Sequence, residues 1–418
     1  AAAPEVMIIG WGEGLDEAAR YLNARPEGEQ LRAITWFTGM FAYFFEGQIM
    51  PTRFASELPA APEVGELRRW LSIDYAVLYV NQWQRQMPMR ELTDYFADLT
   101  PEKVIRLNGV EYARIYNLQR TPPPEFLAVG RPRFTDWGGA IRLVAYELPT
   151  EAIRPGEPFP AVFHFQGLRP IDRDLNVLVR VVGADGREWA RDEGWPQGKP
   201  TSTWEERAVW RDGHELTLPP DAPAGYYRVE LSFYDPATLE HLTATDARSG
   251  AALGDTLVVE YVTAGEAPAE PAHPLEPPAL IGEQVRLLGA EVRTAGGELL
   301  EANGMVEPGE RLQVRLFWEA MSPMETNLTG FVHLVGPGGQ LAAQRDQEPL
   351  GGFLPTSLWR PRQVIADDYE LLVPDNAPAG EYELRAGMYD ATTGLRLQVS
   401  DGSRPIGDFV GMGTLAVR

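Results

Sequence analysis

Several short segments in the middle of the chain recur 155 positions further on. The matching pairs are 200–204 (PTSTW) with 355–359 (PTSLW), Asp212 with Asp367, 221–225 (DAPAG) with 376–380 (NAPAG), and 234–235 (YD) with 389–390 (YD). Upstream of them, short insertions change the spacing, so that 155–157 (PGE) matches 308–310 and 141–144 (IRLV) matches 285–288 (VRLL). A repeat of this length predicts two copies of one domain, because solenoid units are far shorter.

Within each copy the dominant hydrophobic period is two residues. In the first copy, apolar side chains alternate with polar ones from Tyr227 to Phe233, and in the second copy they do so from Tyr382 to Met388. This alternation is typical of a strand with one buried face. Pro-Gly, Asp-Gly and Gly-Gly turns separate the short strands. Each copy is therefore predicted to be an antiparallel β-sandwich, immunoglobulin-like or jelly-roll-like.

The first 120 residues show a different pattern, in which strand-like and helix-like stretches alternate. Strands are predicted at 31–37, 75–80 and 110–116, and helices at 16–22, at 89–96 and from Thr100 onward, where a threonine cap precedes a proline. Such alternation favours an α/β layer structure. The predicted fold class is thus multidomain α/β plus all-β.

Two proline-rich stretches set the predicted domain boundaries. Residues 121–130 contain the run TPPPE, which is typical of a stiff hinge, and residues 263–280 form a longer Pro/Ala/Glu linker. The predicted order is an α/β domain at 1–120, the hinge, a first sandwich at 131–262, the linker, and a second sandwich at 281–418.

Charge and composition restrict the classes of partner. The formal net charge of the 418-residue chain is −23, which repels nucleic acid and anionic lipid, so we expect no nucleic-acid partner. The absence of cysteine excludes disulfides, thiolate metal sites and cysteine nucleophiles. No apolar run reaches the ~20 residues of a membrane helix. Because the sequence starts abruptly with AAAP, we expect a processed or excised piece of a longer protein.

The opening stretch 6–22 (VMIIGWGEGLDEAARYL) raises the question of a dinucleotide site. Gly10 and Gly12 fit the Gly-x-Gly-x-x-Gly fingerprint, but Leu15 occupies the place of the third glycine, and Glu13 puts negative charge where a phosphate would bind. A tight turn feeding a helix is therefore the preferred interpretation. A nucleotide-dependent enzyme stays open as a third hypothesis that depends on this turn alone.

No other catalytic or metal-binding pattern is evident. The five histidines, His164, His214, His241, His273 and His333, have no metal-ligand spacing, and structural or solvated roles are predicted for them. Adjacent carboxylates at 205–206 and 367–368 are expected to be solvated rather than glycosidase-like. Repeated aspartates at 235, 246, 390 and 401 allow Ca²⁺ only weakly, and turn capping is the simpler role. We therefore predict no catalytic residue, no cofactor and no metal ligand.

Four tryptophans of the first sandwich are the remaining candidates for ligand contact. An exposed indole can stack on a sugar ring, and Trp189, Trp195 and Trp210 are the candidate glycan-contacting residues. Trp204 has a counterpart in Trp359, which favours a packing role for it. The alternative for all of them is core packing.

Three N-terminal segments and three C-terminal segments carry a resemblance to a known family. They are 10–23 (GWGEGLDEAARYLN), 74–88 (DYAVLYVNQWQRQMP), 104–116 (VIRLNGVEYARIY), 331–335 (FVHLV), 355–359 (PTSLW) and 380–390 (GEYELRAGMYD). The chain resembles the extracytoplasmic region that follows the membrane part of glycosyltransferase family 39, the phospholipid-carrier-dependent glycosyltransferases of Chloroflexus-like bacteria. The near-exclusive use of arginine over lysine, with only Lys103 and Lys199 present, is in line with a GC-rich or heat-adapted source.

This resemblance implies a context rather than a reaction, because the family's transfer chemistry belongs to a membrane region that this sequence lacks. We expect a non-catalytic, extracytoplasmic part at the cell surface that binds glycan or partner proteins, with membrane contact only through the missing region. The alternative is a released cell-surface protein that self-assembles into filaments or layers, since sheet edges permit strand pairing between copies.

Overall fold

The structure is a computed structural model that describes residues 8–51, 64–127, 129–265, 270–301, 303–402 and 404–418. The chain is mostly β-sheet, arranged in five sheets, which confirms the predicted all-β character of its larger part. It forms two compact units. The first contains residues 1–182, 188–222 and 228–262, and the second contains the remainder.

The N-terminal part of the first unit is a five-stranded mixed sheet with helices. Its helices are α1 Leu15–Asn23, α2 Thr38–Ala42, α3 Val64–Leu71, α4 Val80–Arg85 and α5 Arg90–Ala97. Its strands are β1 Arg32–Thr35, β2 Gln48–Pro51, β3 Tyr75–Tyr79, β4 Lys103–Leu107 and β5 Val110–Asn117, in the order β2-β1-β3-β5-β4. Strands β2, β1 and β3 are parallel, whereas β5 runs antiparallel to both β3 and β4. Residues 6 and 7 of the opening stretch lie outside the described residues.

Strand β3 is apolar along its whole length because it is covered on both faces, as parallel strands usually are. Val77 and Tyr79 pack in one cluster with the buried face of α1, which includes Leu15 and Leu22. The alternate residues Ala76 and Leu78 pack on the opposite side with α3 and α5, in a second cluster. Short 3₁₀ turns connect these elements at Gly28–Gln30, Leu118–Arg120 and Glu125–Leu127.

The helix predicted from Thr100 is wrong, since residues 103–107 form strand β4 instead. The competing signal is the Asn108-Gly109 pair that follows. Both residues have positive φ, 50° and 82°, which suits the tight turn of a two-residue hairpin. Strand β4 therefore folds back on β5, with Ile105 opposite Ala113, and a hairpin replaces the expected first turn of a helix.

The next part of the chain, residues 131–264, builds two antiparallel sheets. Their strands are β6 Arg131–Trp137, β7 Ile141–Glu147, β8 Pro158–Gly167, β9 Asn176–Gly183, β10 Glu188–Gly194, β11 Val209–Thr217, β12 Gly225–Tyr234, β13 Ala244–Asp246, β14 Ala252–Gly254 and β15 Leu257–Ala264. One sheet has the order β11-β8-β7-β6-β13-β14 and the other β10-β9-β12-β15. Phe233 of the second sheet lies against Trp137 and Phe165 of the first, with ring centroids 5.2 and 5.1 Å away. These buried rings join the sheets into a sandwich, which we call the first sandwich.

The second unit contains another pair of sheets, the second sandwich. Its strands are β16 His273–Ile281, β17 Val285–Thr294, β18 Met305–Val306, β19 Arg311–Ala320, β20 Leu328–Val335, β21 Leu341–Gln347, β22 Val364–Leu372, β23 Gly380–Asp390, β24 Leu395–Arg396, β25 Val399–Ser400, β26 Pro405–Gly407 and β27 Val410–Val417. The sheets have the orders β22-β19-β17-β16-β25-β26 and β18-β27-β23-β20-β21, and β24 pairs with β23. Strand β16 begins at His273, within the stretch 263–280 that the sequence predicts as a linker.

The predicted hinge at 121–130 lies within the first unit, and the N-terminal sheet shares a buried cluster with the first sandwich. Trp70 and Phe96 belong to the same cluster as Phe134, Val144 and Val209. Polar contacts reinforce it. The Gln166 amide donates to the Leu71 carbonyl at 3.1 Å.

The buried carboxylate of Asp74 is a second polar anchor of this interface. It accepts the backbone N–H of Arg32 at 2.7 Å and forms an ion pair with the guanidinium of Arg207 at 3.2 Å. Arg207 also donates to the Ser72 carbonyl at 3.3 Å. Since Asp74 belongs to the N-terminal sheet region and Arg207 to the sandwich, this ion pair joins the two parts.

Arg207→Ala should therefore lower the unfolding free energy of the first unit by about 1 to 2 kcal/mol, because it leaves the Asp74 carboxylate buried with fewer partners. The measurement is urea denaturation followed by tryptophan fluorescence. Arg90→Ala is the matched control, since the Arg90–Asp94 pair is largely exposed and should contribute nothing measurable. Equal destabilisation by both substitutions would contradict this account of the interface.

Candidate functional site

Residues of the sequence repeat hold the turn after β10 in the first sandwich and the turn after β21 in the second in the same way. In the first, the buried Asp212 carboxylate accepts the backbone N–H of Gln197 at 2.6 Å, and in the second, Asp367 accepts that of Leu350 at 2.8 Å. Gln197 and Leu350 both have positive φ, 55° and 52°. The aspartates thus pair a backbone N–H that the turn leaves without a partner. Burial raises the pKa of Asp367 to about 6.

The repeated Pro-Thr-Ser-x-Trp motif fixes the rest of this connection. Thr201 Oγ1 donates to the Arg173 carbonyl at 2.8 Å and accepts the Leu175 N–H at 2.9 Å. Thr356 makes the same two contacts with Thr326 and Leu328, at 3.0 and 2.9 Å. The motif therefore serves as a structural clamp. Trp204 is buried, in agreement with its predicted packing role.

Residues 195–204 lie between β10 and β11 of the first sandwich, and we call this segment the tryptophan loop. Of the three candidate tryptophans, Trp195 lies in this loop and Trp210 lies shortly after it. Trp195 is 45% exposed. Trp210, on β11, stacks on Trp204 with ring centroids 5.8 Å apart, and the Lys199 ammonium lies 4.8 Å from the Trp210 ring. Trp189 is half-buried on strand β10. Of the three candidates, Trp195 therefore offers the most open indole surface, while Trp204 and Lys199 already contact the Trp210 ring.

A histidine bridges two carboxylates beside this loop. His214 Nδ1 lies 2.8 Å from Asp192 on β10, and its Nε2 lies 2.9 Å from Asp212 on β11. Burial alone would lower the pKa of His214, but the hydrogen bonds and charges of Asp212 and Asp192 outweigh burial, so its pKa is raised. The imidazolium donates to both carboxylates and ties the edge strands of the two sheets together. Sequence reasoning missed this bridge, because Asp192 and His214 are 22 positions apart and belong to different strands.

The opening glycines form a turn in which two backbone N–H groups, those of Trp11 and Gly12, have partners within the chain. Gly10, Gly12 and Gly14 have φ of 96°, 124° and 83°. The Gly12 N–H donates to the Tyr79 hydroxyl at 2.9 Å, and the Trp11 N–H donates to the Glu13 carboxylate at 2.7 Å. These hydrogen bonds lower the pKa of Glu13. The turn feeds α1, as the preferred interpretation predicts.

The remaining candidates from the sequence are found in structural settings. Asp368 is exposed and forms an ion pair with Arg315, whereas the adjacent Asp367 is buried, so the two carboxylates do not face one cleft. The solvated role predicted for Asp367 is therefore wrong, because its carboxylate is enclosed where it accepts the Leu350 N–H. The repeated Tyr-Asp aspartates cap turns, as predicted. Asp235 accepts the Ala237 N–H and Asp390 accepts the Thr392 N–H, both at 2.8 Å.

His164 is fully buried and contacts Glu147 at 2.8 Å. Asp246 accepts the N–H groups of Arg248 and Ser249, and Asp401 accepts that of Arg404. Among the described residues, no group of three carboxylate or histidine side chains is arranged to hold a metal ion. In the same part of the chain, every helix is too short or too polar to cross a bilayer.

A cavity of about 410 Å³ opens on the first sandwich, and no sequence pattern predicts it. Its walls include the Gly138-Gly139 turn, Arg173, Glu240 and His241. The Gly-Gly pair is only a turn signal in the sequence, and Arg173 lies 67 positions before the adjacent pair Glu240-His241. The Thr201 contact to the Arg173 carbonyl connects the cavity wall to the tryptophan loop.

Comparison with known proteins gives no relative: no protein-family model and no curated protein matches this chain. The function has to be argued from the residues themselves.

The raised pKa of His214 predicts a pH-dependent stability. Protonation favours the folded state, so this contribution is complete below the ordinary histidine pKa of 6.5 and is lost as the pH rises through the raised value. Denaturant unfolding between pH 5.5 and 8.5 should show this decline in the wild-type chain and a flatter profile for His214→Gln. His241→Gln, an exposed histidine, should keep the decline. Identical profiles for wild type and His214→Gln would contradict the bridge.

Proposed function

We propose that this chain is a non-catalytic, extracytoplasmic part of a membrane glycosyltransferase-like protein, and that it binds glycan through its first sandwich. The observation that supports glycan binding most directly is the setting of Trp195. Its indole is 45% exposed, and it immediately precedes the turn that Asp212 holds. An aromatic ring on a fixed turn loses little conformational freedom when a sugar ring stacks on it.

Two charged groups close to Trp195 in the sequence suit a ligand with many hydroxyls. The Asp192 carboxylate is 48% exposed on the neighbouring edge strand and accepts from His214, and Lys199 provides an ammonium group in the same loop. Apolar ring faces combined with exposed donors and acceptors match the two surfaces of a sugar, which has C–H faces and a hydroxyl rim. These features support glycan as the ligand class.

The proposal also covers the domain organisation of the chain and its family. We propose that the two sandwiches are copies of one domain. The sheet β11-β8-β7-β6-β13-β14 of the first sandwich and the sheet β22-β19-β17-β16-β25-β26 of the second have corresponding strands in the same order. Asp212 and Asp367 hold equivalent turns, and Thr201 and Thr356 make equivalent contacts. We also propose that the N-terminal mixed sheet is an α/β domain. The family context depends on the sequence resemblance alone.

Self-assembly at the cell surface is the second candidate function, and one observation favours it. Trp11, Met40, Tyr43 and Phe44 of the N-terminal part are 76%, 49%, 84% and 44% exposed. Exposed apolar side chains of this size often mark contact surfaces. Pairing through the β10 edge is disfavoured, because Arg191, Asp192 and Glu193 place charges along that edge strand.

A glycan array followed by titration calorimetry of the bound glycans tests the proposed function. Trp195→Ala should weaken binding about tenfold, the loss expected when a stacking contact of about 1.4 kcal/mol is removed. Trp11→Ala is the matched control, since Trp11 is even more exposed but lies in the N-terminal part. An array without any bound glycan, together with concentration-dependent assembly in light scattering that Trp11→Ala abolishes, would favour the second candidate instead.

A further inference from the structure

Three connections of the first sandwich meet around the 410 Å³ cavity. The β6–β7 turn contributes Gly138 and Gly139, and the β8–β9 connection contributes Arg173. The segment between β12 and β13 contributes Glu240 to Thr243, and strand β13 contributes Thr245. Pockets that hold small organic ligands usually have volumes of about 300 to 1,000 Å³. The cavity therefore has room for one or two sugar rings.

The walls of this cavity are held in place by contacts of their own. Arg169 donates to the carbonyls of Gly139 and Gly138, at 3.2 and 3.1 Å, and so fixes the turn. Arg173 donates to Asp235 at 3.3 Å. The Tyr234 ring stacks on His241, with centroids 5.4 Å apart and planes 26° apart. A ligand would meet a preformed surface, which reduces the entropy cost of binding.

Several polar groups of the cavity have capacity left for a ligand. Within the described ranges, neither the Glu240 carboxylate nor the His241 imidazole makes a hydrogen bond or an ion pair. Arg173 uses one N–H on Asp235 and has further donors on its planar guanidinium. Thr243 donates its hydroxyl to Asp255 and can still accept. The cavity thus combines a carboxylate, a guanidinium and hydroxyl acceptors.

Charge selects among the ligands that such groups could bind. In the cavity wall the positive charge of Arg173 offsets the negative charge of Glu240. Behind the wall, the charges of Arg169 and Asp235 also offset each other. An anionic ligand would find no excess positive charge here, and the chain as a whole carries −23. A planar carboxylate or guanidinium can bind two adjacent hydroxyls in a bidentate manner. The balance therefore favours a neutral ligand with neighbouring hydroxyl groups.

We propose that this cavity is a binding site for a neutral sugar, in which Glu240 and Arg173 bind adjacent hydroxyls and His241 flanks the ring. The assignment rests on the proposed glycan-binding function but places the ligand on residues other than the candidate tryptophans. The second sandwich lacks these groups. At the corresponding positions it has Thr326 in place of Arg173, and Leu395-Arg396 in place of Glu240-His241. The site belongs to the first sandwich alone.

The test is titration calorimetry of the full chain with the methyl glycosides of glucose, galactose and mannose, with glucuronate as the anionic comparison. Glu240→Gln should weaken binding of the neutral glycoside about tenfold, as expected for the loss of a charge-assisted hydrogen bond. His241→Ala is the second variant. Both residues are exposed, so the fold should be retained, and circular dichroism checks this. Glu283→Gln, in the β16–β17 turn of the second sandwich, is the control that should bind like wild type.

The outcomes separate the cavity from the general function. Neutral glycoside binding that Glu240→Gln and His241→Ala weaken, but Glu283→Gln does not, supports the assignment. Binding that withstands both cavity substitutions and is lost in Trp195→Ala overturns the assignment and leaves the proposed function standing. Preference for glucuronate over the neutral glycosides also overturns it. Absence of binding to every glycoside here and to every array glycan overturns both.

Discussion

A single hydrogen bond, in which a buried aspartate accepts a backbone N–H, fixes the tryptophan loop of the first sandwich. Asp212 Oδ1 accepts the N–H of Gln197. The backbone φ of Gln197 is 55°, a value that is uncommon for residues other than glycine. Asp212 itself is only 3% exposed, and the Gln197 N–H gives one of its carboxylate oxygens a hydrogen-bond donor. The other oxygen of the same carboxylate contacts His214. The position of Trp195, the edge-strand bridge and the loop path all depend on Asp212.

The second sandwich has the same aspartate-held turn as the first, but different side chains lie beside it. Asp367 holds Leu350 as Asp212 holds Gln197, but Tyr369 stands where the first sandwich has His214. Likewise, Leu395 stands where the first sandwich has Glu240. The two sandwiches thus share the turn that the aspartate holds and differ in the side chains beside it. The cavity and the exposed Trp195 both lie on the first sandwich, which is where we propose that glycan binds.

The sequence allowed the strands to be predicted because their signal is local. Residues 227–233 alternate in polarity and lie in β12, and the apolar run at 75–80 contains β3 and ends at the first residue of α4. Local signals also compete, and the cap-like Thr100-Pro101 pair was outweighed by the Asn108-Gly109 hairpin turn. The candidate site was harder to predict. Trp195 could be named but not its exposure, and Arg173, Glu240 and His241 converge only through the pairing of β6, β9, β12 and β13. No local pattern of residues encodes such a convergence.

The central claim is that the cavity of the first sandwich holds a neutral sugar. Nuclear magnetic resonance of the isotopically labelled chain, titrated with a neutral methyl hexoside, tests it most directly because it locates the ligand. The account predicts that the largest shift changes fall on the backbone amides of Gly138, Gly139, His241 and Thr243. Changes confined to other residues, or no change at millimolar hexoside, would contradict it.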